Sequence, residues 1–255
     1  MNMQPAGTVA EHITIEKGRP ADVPHILATN CYGTYCVPDA FKKREVPKLL
    51  RMGEVYEQAT LSFLRRHLGT GDIITGGAFV GDFFPALHEA LAKKARLHSF
   101  EPFPTSFDAT AHTMALNNLD RVTLHRCAVG KEAGFAPLAI ARGKNNASLA
   151  AGMHITEDAD TTLHTINVPI VPIDDLVPAS RKVSILHLDV EGFEADALRG
   201  AARVLAKSKP IVVLEGPKRY HVRNYLATLN EAAPDADYVH AGRIDHNSVF
   251  RPALR

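Results

Sequence analysis

Cysteine is scarce in this chain of 255 residues, which contains only three. Cys31, Cys36 and Cys127 are odd in number, so they do not form a disulfide framework. The Cys-x4-Cys spacing of the first two has no second pair to complete a zinc site. We therefore expect buried or inert thiols.

The sequence also lacks an excess of charge of either sign. Its 29 basic and 28 acidic residues give a formal net charge of +1. A nucleic-acid-binding protein needs a basic surface to displace the counterions of the phosphate backbone. We therefore expect no nucleic-acid partner and a small, roughly neutral substrate.

Long hydrophobic runs are absent as well. The first twenty residues contain no apolar core of a signal peptide, and no run approaches the roughly 18 residues of a membrane-spanning helix. Hydrophobic residues make up 45% and charged residues 22% of the chain, which is ordinary for a globular protein. These features predict a cytoplasmic protein with no transmembrane segment, and they leave assembly into a homo-oligomer open.

Two regions of the chain differ in pattern. Residues 1–70 predict a mainly helical region and a candidate lid, with a helix over 55–64 in which apolar residues recur every three or four positions. Residues 71–255 alternate apolar runs with helical patterns, which predicts a mostly parallel, doubly wound α/β sheet with ligands at the carboxyl ends of its strands. The predicted strands are 73–74, 97–101, 122–127, 135–140, 166–173, 183–190 and 211–215, with a C-terminal hairpin of 238–240 and 248–250; the predicted helices are 82–94, 106–118, 194–206 and 221–232, and 142–148 is a polar loop.

A glycine-rich turn follows the first predicted strand of the sheet. Gly76, Gly77 and Gly81 allow the backbone to bend sharply and to approach a ligand that a Cβ would block. Glu101 ends the next strand, twenty residues after the last of these glycines, where a carboxylate can accept both hydroxyls of a ribose. Nicotinamide dinucleotides and S-adenosylmethionine both offer such a ribose, so these features fit either ligand.

Asp82 favours S-adenosylmethionine over a dinucleotide. It follows the glycine turn near a helix start, where a dinucleotide would place its negatively charged pyrophosphate. S-adenosylmethionine has no phosphate and carries a sulfonium and an ammonium, so a nearby carboxylate is tolerated. A carboxylate that complements the helix dipole explains Asp82 equally well.

Acidic residues are concentrated where two later strands end. Asp189 ends one predicted strand, Glu191 lies in the turn after it, and Glu215 ends the next strand. Carboxylates so close repel one another unless a cation, a proton or a ligand relieves the repulsion. Together they can orient a hydroxyl, accept its proton or hold one divalent cation. Glu194, in the first turn of the following helix, is expected to complement the helix dipole.

These motifs resemble those of the FkbM family of methyltransferases. The most specific is Asp189-Val190-Glu191-Gly192-Phe193-Glu194 with the Leu-Arg-Gly-Ala of 198–201. The segments 77–82, 99–102, 127–130 and 171–176 also match, in the family's order. The resemblance covers about residues 57–216.

The resemblance implies a Rossmann-like class I methyltransferase fold, usually closed by an antiparallel C-terminal strand. It implies an S-adenosylmethionine-dependent O-methyltransferase whose acceptor is a hydroxyl of a sugar, glycolipid or polyketide-type natural product. By position, the methionine part would lie on Gly76, Gly77, Ala78, Phe79, Gly81 and Asp82, the ribose on Glu101 and Pro102, the adenine near Ala128 and Val129, and the reacting methyl beside Asp189 and Glu191; Asp189, Glu191 and Glu215 are the candidate ligands if a divalent metal takes part.

The sequence departs from the family in one place, and two other functions stay open. Thr75 stands two residues before Gly77, where many relatives carry an acid, so Asp82 or a backbone carbonyl is expected to hold the methionine ammonium. His187, inside an apolar strand, is expected to be a core or supporting residue. The alternatives are an NAD(P)-dependent oxidoreductase, for which we find no Tyr-x-x-x-Lys proton donor, and a catalytically silent binding protein.

Overall fold

The structure is a computed structural model that describes residues 23–141, 147–149, 163–216 and 218–253. The start of the predicted N-terminal region lies outside these residues, as does the predicted polar loop of 142–148 except for its last two positions. Within the described ranges, no helix combines the length and apolar character that a membrane span requires.

The N-terminal region begins with a β-hairpin that the sequence prediction missed. β1 (His25–Thr29) pairs antiparallel with β2 (Thr34–Pro38), and α1 (Glu45–Arg51) and α2 (Gln58–His67) follow. The short β2 reads as a turn in the sequence because its burial depends on a distant helix. Its Cys36 N–H donates a hydrogen bond to Thr113 Oγ1 at 3.0 Å.

The remainder of the described chain alternates strands and helices as predicted. The predicted helix of 194–206 is interrupted at Gly200 and Ala201. In chain order the elements are β3 (Asp72–Gly76), α3 (Phe84–Ala90), β4 (Leu97–Phe100), α4 (Pro104–Leu116), β5 (Val122–His125), β6 (Ala128–Val129), β7 (Gly134–Ala141), β8 (Ala147–Leu149), β9 (Leu163–Val171), α5 (Ile173–Leu176), β10 (Val183–Leu188), α6 (Glu194–Arg199), α7 (Ala202–Ser208), β11 (Ile211–Glu215), α8 (Arg219–Ala232), β12 (Tyr238–Ile244) and β13 (Asn247–Pro252).

The central sheet has seven strands in the order β12-β13-β11-β10-β3-β4-β5. The five strands from β11 to β5 run parallel, and β13 is antiparallel to β11. This arrangement confirms the predicted α/β fold with its antiparallel C-terminal strand. Buried residues of the sheet form apolar clusters with helices such as α2, α3, α6 and α7, so the carboxyl ends of the parallel strands are held in a fixed relation.

A second, smaller sheet combines β7 and β9, which match the strands predicted between residues 134 and 172, with β6 and with β8, which overlaps the predicted polar loop. Its order is β6-β9-β7-β8, with β6 parallel to β9 and the other pairs antiparallel. Ala128, Leu138 and Val168 make a small buried cluster of their own. This sheet therefore places Ala128 and Val129 beyond the end of β5, next to the central sheet.

The turn after β3 packs directly against the end of β10. Gly77 has a φ of 82°, and a Cβ on it would come within 1.9 Å of the carbonyl oxygen of Asp189. Both the positive φ and the close approach require glycine at this position. The contact fixes how far apart the two strand ends lie.

We predict that Gly77→Ala lowers the free energy of unfolding by about 2–4 kcal/mol, because left-handed backbone strain adds to a clash with buried backbone. The matched control is Gly134→Ala, since no atom lies within 4 Å of a Cβ at that position. The control is expected to change the free energy by less than about 0.5 kcal/mol. Urea unfolding of both variants measures the difference, and equal effects would contradict the role given to Gly77.

Candidate active site

A cavity of about 340 Å³ opens at the carboxyl ends of β3, β4, β10 and β11. Its size suits a small-molecule ligand. Most of the residues that the sequence marked as site candidates line it: Gly77, Ala78, Phe79, Asp82, Glu101, Pro102, Ala128, Val129, Asp189, Glu191 and Glu215.

Gly76 and Gly81 are not among the lining residues and act on the backbone instead. Gly76 ends β3, and its carbonyl accepts the Asp189 N–H at 3.3 Å. Gly81 has a φ of 75°, and its N–H donates to the Ala78 carbonyl at 2.7 Å. These two glycines shape the turn that forms one wall of the cavity.

Glu101 lies at the end of β4 with both carboxylate oxygens in use. The Phe79 N–H donates to Oε2 at 2.8 Å and the Phe103 N–H donates to Oε1 at 2.9 Å. Burial raises the pKa of Glu101 to about 7, although these two hydrogen bonds oppose the shift. Each oxygen keeps a second acceptor position, so Glu101 can receive two hydroxyls of a ligand while it holds the turn in place.

Asp189 and Glu215 lie on the other side of β3 from Glu101, and both line the cavity. Burial, then the charge of Glu215 and the hydrogen bond to it, raises the pKa of Asp189 far above its usual range. Glu191 adds to this effect. Burial and Glu215 also raise the pKa of Glu191, while Arg44 opposes the rise. The Asp189 carboxyl group therefore holds its proton at neutral pH.

Glu194 fixes the turn that carries Glu191. Its side chain is buried, and its Oε1 accepts the N–H groups of Val190 at 3.0 Å and Gly192 at 3.3 Å. The Tyr225 hydroxyl lies 3.2 Å from Glu194 Oε2 and 2.9 Å from the backbone oxygen of Glu215. Glu194 therefore ties the ends of β10 and β11 together, a larger role than the dipole effect expected from the sequence.

His187 faces the cavity from within β10. Its Nδ1 lies 3.0 Å from Thr75 Oγ1, and the ring of Phe83 stacks on the imidazole with centroids 5.9 Å apart. Burial lowers the pKa of His187 to about 4, so the ring is neutral. Its buried Nε2 has no hydrogen-bond partner among the described residues. Thr75 thus orients a neutral imidazole in the same wall.

The N-terminal region contributes five lining residues that the sequence analysis did not single out as site candidates, namely Arg44, Glu45, Val46, Tyr56 and Glu57. The Arg44 guanidinium lies 4.4 Å from the centroid of the Phe79 ring. Asn247 Nδ2 donates to Glu57 Oε2 at 2.8 Å, and burial raises the pKa of Glu57. No motif marks these residues, because they reach the cavity through tertiary packing from outside the strand ends.

Three lining residues other than glycine have left-handed backbone. Glu57, Phe79 and Glu191 have φ values of 42°, 49° and 54°. Such conformations cost about 1–3 kcal/mol each and occur often at functional sites. The strain aims the side chains of two acids at one cavity.

The carboxylates do not form a ready metal centre. The ligand atoms of Asp189, Glu191 and Glu215 do not all lie within 4.8 Å of one another. Another set of three side chains in the described residues does meet that distance. Their arrangement fits proton transfer better than the enclosure of a single cation.

Three comparisons agree with this geometry. The family described as the methyltransferase FkbM domain matches residues 76–239. The chain is 27% identical over 143 residues to "Methyltransferase 1" of Beauveria bassiana (strain ARSEF 2860), a match that covers 50% of this chain and 57% of that protein. The crystal structure of methyltransferase FkbM from Methylobacillus flagellatus KT matches with a TM-score of 0.50 and 18% identity, and covers 71% of this chain and 43% of that one.

The chain therefore spans little more than half of these relatives' length at most. The structural match supports the fold, and the family match covers well over half of the chain, including both the glycine turn and the acidic block. On this evidence the chain belongs to the FkbM family of methyltransferases.

Proposed function

We propose that the chain is an S-adenosylmethionine-dependent O-methyltransferase that acts on a hydroxyl of a small molecule, such as a sugar, a glycolipid or a polyketide-type natural product. The observation that carries the proposal is the placement of Asp189 and Glu215 in one cavity with Glu101, on the opposite side of β3 from it. That arrangement puts a hydrogen-bond acceptor for a ribose and an acceptor for the proton of the substrate hydroxyl on two sides of one cavity.

The donor groups of the cavity fit S-adenosylmethionine. Glu101 offers free acceptor positions to a ribose, and Ala128 and Val129 offer an apolar surface to an adenine. The unpartnered His187 Nε2 is a polar contact for the amino-acid part, beside the glycine turn. When bound, this cofactor supplies an electrophilic methyl group on a positively charged sulfur.

Asp189 is the proposed base of the reaction. Its carboxylate takes the proton of the acceptor hydroxyl as the oxygen gains the methyl group, and Glu191 orients the same hydroxyl. A positioned base of this kind contributes about 10²–10⁴-fold to the rate. In the free protein the proton held by Asp189 keeps it from acting as a base, so the positive charge of the cofactor is needed to release that proton.

We predict that binding of S-adenosylmethionine releases up to about one proton per site, because a cation next to the pair lowers its raised pKa. The free-protein pKa is the raised one, so affinity should increase with pH below that value and level off above it. S-adenosylhomocysteine, whose sulfur is neutral, should release fewer protons. Calorimetric titrations in buffers of different ionisation enthalpy count the protons.

Asp189→Asn is the matched variant for this measurement, since it keeps the shape of the side chain and removes the group with the raised pKa. It should bind both ligands without the difference in proton release. An equal proton count for the two ligands in the unaltered protein would contradict the role of the pair.

We predict that Glu101→Gln weakens S-adenosylmethionine binding about 10–100-fold, because charge-assisted hydrogen bonds of about 1.5–3 kcal/mol are lost. The control is Glu132→Gln, an exposed carboxylate that pairs with Lys131 and does not line the cavity; it should leave the affinity unchanged. The same titrations, repeated with NADH and with Mg²⁺, separate the competing ligands. Tight NADH binding with none of S-adenosylmethionine would favour an oxidoreductase.

Transfer itself is tested with a labelled methyl donor and a panel of sugars, glycolipids and polyketide alcohols. For an accepted substrate, Asp189→Asn should lower kcat by about 10²–10⁴-fold. Cofactor binding without transfer to any hydroxyl compound would favour a silent binding protein, and transfer by Asp189→Asn at the normal rate would remove Asp189 as the base.

A further inference from the structure

Three metal-ligating side chains meet on the side of the molecule formed by the N-terminal hairpin. His25 lies in β1, Cys36 in β2 and His112 in α4. One ligand atom from each lies within 4.8 Å of the other two. His112 is far along the chain from the other two residues, so the set has no recognisable spacing motif. None of the three lines the cavity described above.

The orientation of His25 is suited to metal binding. Its Nδ1 lies 2.8 Å from the carbonyl oxygen of Val23, and because a carbonyl can only accept, Nδ1 carries the proton. The lone pair of the neutral ring is then on Nε2. Histidine ligands in proteins usually donate their other ring N–H in this manner, which fixes the tautomer and the ring plane.

The other two side chains complete a site of mixed nitrogen and sulfur character. The rings of His25 and His112 meet edge to face with centroids 5.0 Å apart and an interplanar angle of 84°. Cys36 is a fully buried free cysteine. Its backbone is held by Thr113, the residue next to His112 in α4.

We propose that His25, Cys36 and His112 bind one Zn²⁺, with water in the fourth position. Zn²⁺ binds imidazole nitrogen at ~2.0–2.1 Å and thiolate sulfur at ~2.3 Å, so tetrahedral ligands lie roughly 3.3–3.6 Å apart. The three ligand atoms lie within 4.8 Å of one another, so the set needs to contract by at most about 1.5 Å to reach these separations. Thiolate and imidazole select Zn²⁺ over Mg²⁺ or Ca²⁺, which prefer oxygen ligands. The thiol proton of Cys36 passes to the solvent on binding.

The ion would fasten both strands of the hairpin to α4. The same hairpin belongs to an apolar cluster that includes Phe41 and Val80, with Phe79 and Phe103 packed against it. Phe79 and Phe103 also line the cavity. The zinc site is therefore structural, and its existence does not depend on the methyltransferase proposal.

The test uses the full chain prepared without a histidine tag, depleted of metal with a chelator and titrated with Zn²⁺ against a chromogenic competitor. The expected result is one tightly bound Zn²⁺ per chain. Co²⁺ added in its place should give a thiolate-to-metal absorption band in the near ultraviolet. With free Zn²⁺ about a hundredfold above the dissociation constant, Tm should rise by about 5–10 °C.

Variants assign the site. Cys36→Ser should abolish the Co²⁺ band, the stoichiometric Zn²⁺ binding and the rise in Tm, whereas Cys31→Ser, which alters an exposed thiol, should keep all three. His25→Gln, at a half-buried position, should weaken Zn²⁺ binding at least tenfold and serves if Cys36→Ser does not fold. The proposal is overturned if the unaltered chain binds no stoichiometric Zn²⁺, or if Cys36→Ser or His25→Gln binds it as tightly as the unaltered chain.

Discussion

The contact between Gly77 and the backbone of Asp189 is the constraint on which the site depends. A turn with a Cβ at position 77 would have to move away from a carbonyl oxygen that now lies 1.9 Å from the Cβ position. Since Asp189 also bonds to Gly76 through its N–H, the turn and the acidic strand end form one rigid unit. The ligand-facing residues on both sides of β3 are positioned through this unit, so loss of the contact would separate them.

Burial opposes the ionisation of the carboxyl groups on the acidic side of the cavity. Four carboxyl groups there, those of Glu57, Asp82, Asp189 and Glu191, have raised pKa values, and burial is the largest cause in each case. A protein core normally excludes such a cluster, because each buried charge needs a partner. The structure accommodates the cluster because burial keeps carboxyl groups such as that of Asp189 protonated and because Arg44 lowers the pKa of Glu191. A bound cation would therefore change the protonation of these groups.

The mostly parallel sheet and the residues at its strand ends could be predicted from the sequence because both follow from local pattern. Gly77, Glu101, Asp189 and Glu215 each sit at the end of an apolar run, and a parallel sheet brings such ends together. Arg44 could not be predicted in this way. It reaches the cavity through packing between distant segments, which leaves no periodic signal.

The N-terminal hairpin and His187 show the same limit of prediction from local sequence. β2 has few apolar residues beyond Tyr35, Cys36 and Val37, and its burial depends on α4. His187 was expected to support the site, and its Nδ1 does lie within hydrogen-bond distance of Thr75, but its position inside an apolar strand gave no indication that its ring would line a cavity. The local sequence pattern indicates which residues form a strand. The orientation of a polar side chain in that strand depends on contacts with residues that are distant in the sequence.

The electrostatics of the cavity bear on the choice between the two cofactor classes that share a glycine turn and a ribose-binding acid. A dinucleotide would bring a pyrophosphate to the turn, where Asp82 already has a pKa raised to about 7 by burial and by Glu57. Adding negative charge there would raise that pKa further and would require Asp82 to remain protonated. A cationic ligand has the opposite effect, since it favours the ionised forms of the same acids. The charge of the cavity thus supports a sulfonium-bearing cofactor independently of family resemblance. The acids responsible, Asp82 and Glu57, come from two separate parts of the chain.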